Sequence, residues 1–137
     1  MKFILIALTV LFSQFALASE YMVIVSESAG INEINKNDLK QVYLGQKSNV
    51  GGVSLTPSIL PTAFKATQNF IKEGMGMSRA EFEKYWMEKE MSGQATPPKR
   101  QTTPNDMINF IKSNPSFIGV IPSADKAPAG VKALKVL

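Results

Sequence analysis

The side chains at the start of one predicted helix have the chemistry of an anion site. The segment SILPTAFKATQNF, residues 58–70, breaks at Pro61 and continues as a helix with Thr62, Lys65 and Thr67 in its first turns. Backbone N–H groups at a helix start attract negative charge, and hydroxyls and an ammonium group add further donors. The same pattern is typical of a capped amphipathic helix with a solvated lysine, so both interpretations stay open.

Two more pairs of polar residues follow segments that can place them beside a ligand. One pair follows the apolar run YMVIVS, which is typical of a buried strand, and open α/β sheets bind ligands beyond the carboxyl ends of strands. The other pair follows a rigid double proline. Ordinary loop residues and an exposed basic pair are the alternatives. The full predicted anion-binding set is Ser26, Ser28, Thr62, Lys65, Thr67, Lys99 and Arg100.

The residues that the chain lacks restrict its chemistry. It has no histidine and no cysteine, which excludes a Ser-His-Asp triad, a Cys-His pair and an ordinary zinc site. The glutamates of residues 73–90 have spacings typical of solvated helix faces, and no Asp-x-Asp calcium loop occurs. Only carboxylate pairs, lysine bases or carboxylate-bound hard cations remain, and a carboxylate-dependent enzyme is a distant third hypothesis. We predict that the protein is not an enzyme and has no catalytic residue, no metal and no cofactor.

The charge distribution argues against nucleic acid as a partner. The chain has 15 lysines and arginines against 11 acidic residues, a formal net charge of +4. The basic residues are scattered among the acids, and only Arg79 and Arg100 are arginines. Nucleic-acid-binding proteins normally carry a dense basic footprint with aromatic residues among it.

The first residues, MKFILIALTVLFSQFALA, have the pattern of a secretory signal peptide. One lysine precedes an apolar run, and small residues end at Ala16-Leu17-Ala18, which predicts cleavage after Ala18. The run is too short for a stable membrane anchor. We expect residues 19–137 to form a single domain that is not embedded in a membrane, in the periplasm or, alternatively, fully secreted. Without disulfides, its stability must come from an apolar core.

Local signals predict the elements that position these residues. Three helices begin at the capping residues Asn35, Ser78 and Thr103. A further helix runs from Pro61 or Thr62 to Glu73. Strands are predicted at 21–26, 53–59, 117–122 and 131–137, with 53–59 near a sheet edge because it contains Pro57. This alternation indicates an α/β domain with a mixed sheet covered by helices.

Three blocks together resemble the small, PstS-like phosphate-binding proteins of ABC transporters. NDLKQVYLGQKSNV resembles the helix and turn "L..iylGk...W", EFEKYWMEKEMSGQATPPKR resembles the "yW....f.G...pP" block, and SNPSFIGVIPSAD resembles the late "pgaIGYv" strand. The blocks occur in family order and cover most of the chain after the signal peptide. The resemblance implies one periplasmic-binding-protein-like lobe where full-length members have two that close on an oxyanion.

The resemblance also implies a changed ligand loop. The family loop is approximately G-S-G-T-R-x-x-F, and aligning its phenylalanine with Phe70 places residues 63–67, AFKAT, where the family has glycines, hydroxyls and an arginine. None of the five is retained, so phosphate binding in the family manner is not expected. The segment is better interpreted as a former ligand loop than as a working one.

The third helix is apolar on more than one side. Phe82, Tyr85 and Trp86 are expected in the core, whereas Met87 and Met91 face another direction and can form an adaptable protein interface. Our leading hypothesis is a non-enzymatic periplasmic adaptor that associates with an envelope assembly or sensor. The alternative is a phosphate or other small-oxyanion binding protein that serves ABC-type uptake. The expected partner is thus an envelope protein or a small oxyanion.

Overall fold

The computed structural model describes residues 20–137, so the predicted signal peptide, residues 1–18, lies outside the described residues. Within this range the helices are α1 (Lys36–Tyr43), α2 (Lys65–Asn69, continued by a π-helical turn at Phe70–Gly74), α3 (Arg79–Ser92) and α4 (Pro104–Ser113). The strands are β1 (Tyr21–Ser26), β2 (Glu33–Ile34), β3 (Asn49–Val50), β4 (Val53–Ser54), β5 (Thr56–Ile59), β6 (Lys99–Arg100), β7 (Phe117–Pro122), β8 (Val131–Ala133) and β9 (Lys135–Val136).

The main sheet is mixed and has the order β6-β5-β7-β1-β8. β5 is parallel to both β6 and β7, whereas β1 is antiparallel to β7 and β8. The carboxyl ends of β5, β6 and β7 therefore share one edge of the sheet, which we call the carboxyl edge, while β1 ends at the opposite edge. The predicted fold class, an α/β mixed sheet covered by helices, is confirmed.

The two central strands are apolar because both faces of the sheet are covered. Val23 and Val25 of β1 pack in one buried cluster with residues of α1 and α3, and Ile24 packs in a second cluster with residues of α4. Successive side chains of a strand point to opposite faces, so an uninterrupted apolar run is what a doubly covered strand requires. The core thus lies on both sides of β1 and β7.

The three predicted capping residues all cap their helices. The side chains of Asn35, Ser78 and Thr103 accept hydrogen bonds from the backbone N–H groups three residues later, at Asp38, Glu81 and Asp106. Each bond satisfies a donor that has no partner inside the helix. These local bonds fix where α1, α3 and α4 begin, and thereby which residues of each helix face the sheet.

The strand predicted over residues 53–59 does lie near an edge of the main sheet, but it is not continuous. Residues 53–54 form a hairpin with β3, and only residues 56–59 join the main sheet, where they lie between β6 and β7. The two-residue strand β6, which was not predicted, covers the outer side of β5 from Ser58 onward. Pro57 precedes that pairing, so its missing N–H removes no bond to β6.

Two other segments also differ from the predictions. The helix expected from Pro61 or Thr62 begins at Lys65, because residues 61–64 form a turn in which Phe64 N–H donates to Pro61 O at 3.1 Å. The strand expected at 131–137 splits into β8, which pairs with β1, and β9, which pairs in parallel with β2. The partner strand β2 was not predicted.

Candidate functional site

A pocket of about 410 Å³ lies at the carboxyl edge, between the ends of β5 and β6 and one face of α3. We call it the carboxyl-edge pocket. It combines aromatic, proline and aliphatic side chains with three charged groups. Its lining residues are Ile59, Leu60, Pro61, Thr62, Phe82, Glu83, Trp86, Met87, Glu90, Pro97, Pro98 and Arg100.

One wall of the pocket is the helix α3. Phe82 and Trp86, four residues apart, are buried and form the inner stripe of this wall. Glu83, Met87 and Glu90 follow the helical repeat i, i+4, i+7 and form an outer stripe, on which Met87 is 55% exposed. This face of α3 therefore forms the apolar floor of the pocket, made by Phe82 and Trp86, with a carboxylate toward each end.

The facing wall is held by strand pairing. Arg100 of β6 lies opposite Ile59 of β5, and Gln101 N–H donates to Ile59 O at 2.9 Å. The buried hydroxyl of Ser58 adds a 2.9 Å bond to the carbonyl of Lys99. These bonds fix the backbone from which the Arg100 guanidinium projects, although its side chain is exposed to solvent.

The charged side chains that line the pocket are two carboxylates and one guanidinium group. Glu83 accepts hydrogen bonds from Arg79 Nε at 3.0 Å and from Thr62 Oγ1 at 3.2 Å. The bond from Arg79 is the main reason why the pKa of Glu83 is lowered, so this carboxylate is ionised at neutral pH. With Glu90 also in the lining, two carboxylates stand beside the guanidinium groups of Arg100 and Arg79, so the pocket lacks the excess of positive charge that a phosphate dianion requires.

The aromatic residues of α3 tie the pocket wall to the loop after α1. Tyr85 OH donates to the carbonyl of Leu44 at 2.6 Å, and the ring of Trp86 packs against Gly45. Phe82 and Trp86 lie in the buried cluster and Tyr85 packs on its margin, which confirms the expectation of a core position. Trp86 Nε1 is buried and has no hydrogen-bond partner among residues 20–137.

Only two of the seven predicted anion-binding residues line this pocket, Thr62 and Arg100. Lys65 is exposed and lies 3.7 Å from the carboxylate of Glu20. Thr67 is buried in the core at 1% exposure, and its hydroxyl has no hydrogen-bond partner in the described part of the chain. As folded, Thr67 contributes no surface to a site.

The other three predicted residues lie elsewhere. Lys99 places its ammonium nitrogen 5.4 Å from the centre of the Phe110 ring, away from the pocket lining. Ser26 and Ser28 lie at the edge opposite the pocket, because β1 runs against β7. Their hydroxyls are 3.0 Å apart, and Ser26 also contacts the carbonyl of Lys112 at 3.4 Å. The structure does not bring the seven residues into one site.

Solved structures with the same fold come from phosphate transport. The chain is similar to an ABC-type phosphate transport receptor from Vibrio cholerae, with 16% identity and a TM-score of 0.63 over 85% of this chain and 46% of that one. PstS from Borrelia burgdorferi is similar at 15% identity and a TM-score of 0.59, over 85% and 47% of the two chains. The chain has the fold of one lobe of these receptors. No protein-family model and no curated protein matches it.

The shared fold covers less than half of either receptor. Within this lobe fold, the segment that the sequence resemblance aligned with the ligand loop, residues 63–67, spans the turn before α2 and its first residues. Phe64 is the residue before the helix, and its side chain provides no cap. The segment therefore offers no side-chain hydroxyl at the helix start itself.

Most of the pocket residues were not predicted as a site from the sequence. The missed residues with the clearest signal are Glu83 and Glu90. They flank Met87, which was predicted as part of a protein interface, and the three form an acid-methionine-acid stripe beside the aromatic pair of α3. The sequence also missed a shallower depression of about 550 Å³ at the start of α3, lined by Gln68, Lys72, Gly76, Met77, Ser78 and Arg79. It contains two cations and no acid.

No group of three or more acidic residues among residues 20–137 is arranged to hold a metal ion. None of the helices in that range is both long and apolar enough to cross a membrane.

Proposed function

We propose that this chain is a non-enzymatic periplasmic binding module that uses the carboxyl-edge pocket to associate with a protein of the cell envelope. The observation that carries the proposal is the composition of the pocket. An apolar floor of Phe82 and Trp86 lies under an exposed Met87, with two carboxylates on the same wall. An exposed methionine over an apolar surface is typical of adaptable sites that bind proteins.

The charge of the pocket supports a protein partner over phosphate. Sites for phosphate use convergent N–H donors and guanidinium groups in a fixed geometry. Here Glu83 and Glu90 stand in the pocket with Arg100, and the loop before α2 lacks the glycines through which a backbone approaches an anion. The absence of histidine and cysteine from the whole sequence supports a role without catalysis.

The proposed location rests on the N-terminal sequence and on the fold. Residues 1–18 have the charged, apolar and small-residue regions of a secretory signal. The fold is shared with an ABC-type phosphate transport receptor. The PstS-like family that the sequence resembles is periplasmic. An exported binding module with this lobe would meet its partner in the envelope.

A second candidate function is the binding of a small oxyanion for ABC-type uptake. Its support is that Arg100 and Thr62, both predicted anion contacts, do share the pocket, within a fold otherwise found in phosphate receptors. In that case the anion would be held by Arg100, Glu83 would stay paired with Arg79, and the charge of Glu90 would have to be screened.

Calorimetry and site-specific crosslinking together test the proposal. We expect no binding heat with phosphate or sulfate for the purified protein. A photoreactive amino acid at Met87 should give one discrete protein adduct in growing cells, and the same residue placed at Glu27, an exposed position beyond β1, should not. Phosphate binding at micromolar concentration that Arg100→Ala abolishes, without an adduct from position 87, would favour the uptake function instead.

A further inference from the structure

We infer that the carboxyl-edge pocket binds an extended, proline-rich segment of its partner that carries two lysines or arginines three residues apart. This inference rests on the proposed function and adds the chemistry of the partner to it. It is carried by the spacing of Glu83 and Glu90 and by the apolar floor between them.

The two carboxylates have the spacing of one turn of a polyproline II helix. Glu83 and Glu90 are seven residues apart on α3, which places them about 10 Å apart along the helix axis at 1.5 Å per residue. A polyproline II segment repeats its side-chain direction every three residues and rises about 9 Å in doing so. Cations at positions i and i+3 of such a segment can therefore meet both carboxylates at once.

Both carboxylates can accept a further cation. Glu90 is exposed and forms no ion pair with any residue in the range 20–137. Glu83 is half-exposed, and the bonds from Arg79 and Thr62 both end on its Oε1 atom. Its Oε2 atom accepts no hydrogen bond within the described residues, so a cation there would share the carboxylate with Arg79, and the cation at Glu90 would gain more.

The floor between the carboxylates has the composition of a groove for proline-rich segments. Met87, which is 55% exposed, supplies most of the accessible apolar surface, and the edges of the largely buried Phe82, Trp86 and Pro98 line the pocket beneath it. Polyproline II segments dock in aromatic-lined grooves because they are extended before binding and lose little conformational entropy. The residues between the two cations would lie on this floor. Arg100 on the facing wall repels a cation there, so the cationic side of the segment must face α3.

A second copy of this chain is a poorer occupant. Lys132 and Lys135 have the same spacing, but they lie in the paired strands β8 and β9. The Lys132 ammonium nitrogen already contacts Ala29 O at 2.7 Å and Asn32 Oδ1 at 2.8 Å. Docking this segment would break bonds within the fold.

Fluorescence anisotropy with capped, labelled proline-rich peptides tests the inference. In the first peptide two lysines stand three residues apart, with leucine between them. In the second peptide glutamates replace both lysines, and in the third the two lysines are adjacent. We expect the first peptide to bind about tenfold more tightly than the second, and more tightly than the third, as complementary charge and spacing require.

The chain offers matched control variants. Glu90→Lys and Met87→Ser should each weaken the first peptide about tenfold, the first by reversing a charge and the second by removing apolar contact without adding a charge. Glu88→Lys and Met91→Ser change exposed residues of the same helix outside the pocket lining, and they should leave binding within about twofold. Thermal unfolding verifies that all four variants are folded.

The outcomes separate this inference from the proposed function. Equal binding of the three peptides, or no effect of Glu90→Lys, would overturn the inference, while a specific adduct from position 87 would leave the proposed function standing. A dimer in sedimentation that Glu90→Lys and Lys135→Glu each dissolve would assign the pocket to a second copy and overturn it as well. Without the position 87 adduct, the proposed function itself fails.

Discussion

Gly45 lies so close to the indole of Trp86 that a Cβ atom on residue 45 would stand 2.9 Å from Cη2 of the ring. Its φ of +69° is also in the left-handed region that side chains disfavour. Gly45→Ala should therefore lower the free energy of unfolding by about 2–4 kcal/mol, the sum of a backbone penalty and an overpacked contact. Urea unfolding followed by tryptophan fluorescence measures this change.

Gly51→Ala is the matched control for that prediction. Gly51 has a similar φ of +57°, but no atom lies within 4 Å of its Cβ position. Only the backbone penalty of about 1–2 kcal/mol applies there. Equal losses for the two variants would show that the Trp86 contact contributes nothing, and that the wall of the pocket is less rigidly held than the structure indicates.

The buried phenol of Tyr43 predicts a loss of stability at high pH. Its hydroxyl donates to Ser58 O at 2.8 Å, and burial raises the pKa of Tyr43 well above the ordinary value of 10.0. Above pH 10 the phenol ionises in the unfolded chain while it stays protonated in the folded protein. Its contribution is fully present below pH 10, and above it the free energy of unfolding should fall by up to about 1.4 kcal/mol per pH unit.

Tyr43→Phe isolates this effect from the titration of lysines in the same range. The variant should lose about 1 kcal/mol at pH 7, because one buried hydrogen bond is removed, and its stability should decline less steeply than the wild type above pH 10. Denaturant unfolding at pH 8 to 11 gives both slopes. Parallel slopes for the two proteins would contradict the burial of the phenol.

The ion pair between Arg79 and Glu83 should set the pKa of the Glu83 carboxylate in the pocket. The Arg79 hydrogen bond is the main cause of the lowered pKa of Glu83, so Arg79→Met should raise that pKa toward 4.5. Because the pair is exposed, the free energy of unfolding should change by less than about 1 kcal/mol. What stability it contributes is present above the unfolded pKa and is lost as pH falls through the lowered one.

Carbon-detected NMR titration of the glutamate carboxylates measures this shift. Lys84→Met removes a neighbouring exposed cation of the same helix that forms no ion pair in the described part of the chain, so it is the control. An unchanged Glu83 titration in Arg79→Met would mean that the carboxylate is free, and that the polar bonds at this end of the pocket do not persist in solution.

The local sequence predicted the elements whose determinants are local. The caps at Asn35, Ser78 and Thr103 depend on side chains that bond the backbone three residues away, so they can be recognised without the fold. The strands β2 and β6, which were not predicted, have two residues each and are defined by pairing with distant segments. No periodicity can develop over two residues, so such strands are not predictable from pattern.

The candidate site was harder to predict because it depends on strand direction. Ser26 follows a strand as expected, but β1 is antiparallel to β7, and this places Ser26 at the edge opposite Arg100. Thr67 has the polarity of a ligand contact and is nonetheless buried. Because α2 begins at Lys65, the side chain of Thr67 lies on the face of the helix that packs into the core. A residue type and its spacing do not determine either relationship.

The buried hydroxyl of Thr67 gives a prediction that separates its structural role from ligand binding. Its Oγ1 atom has no hydrogen-bond partner among residues 20–137, and the residue is 1% exposed. Folding therefore removes the hydroxyl from water without a compensating hydrogen bond. Thr67→Val replaces the hydroxyl by a methyl group of similar size and should raise the free energy of unfolding by about 1 kcal/mol.

Thr62→Val is the control for this prediction. Thr62 is only half-buried and its hydroxyl contacts Glu83, so the change in the free energy of unfolding should be at most about 0.5 kcal/mol. Urea unfolding and phosphate calorimetry on both variants complete the test. A destabilised Thr67→Val protein would mean that the hydroxyl has a partner in solution, and a loss of phosphate heat specific to this variant would restore Thr67 as a ligand contact.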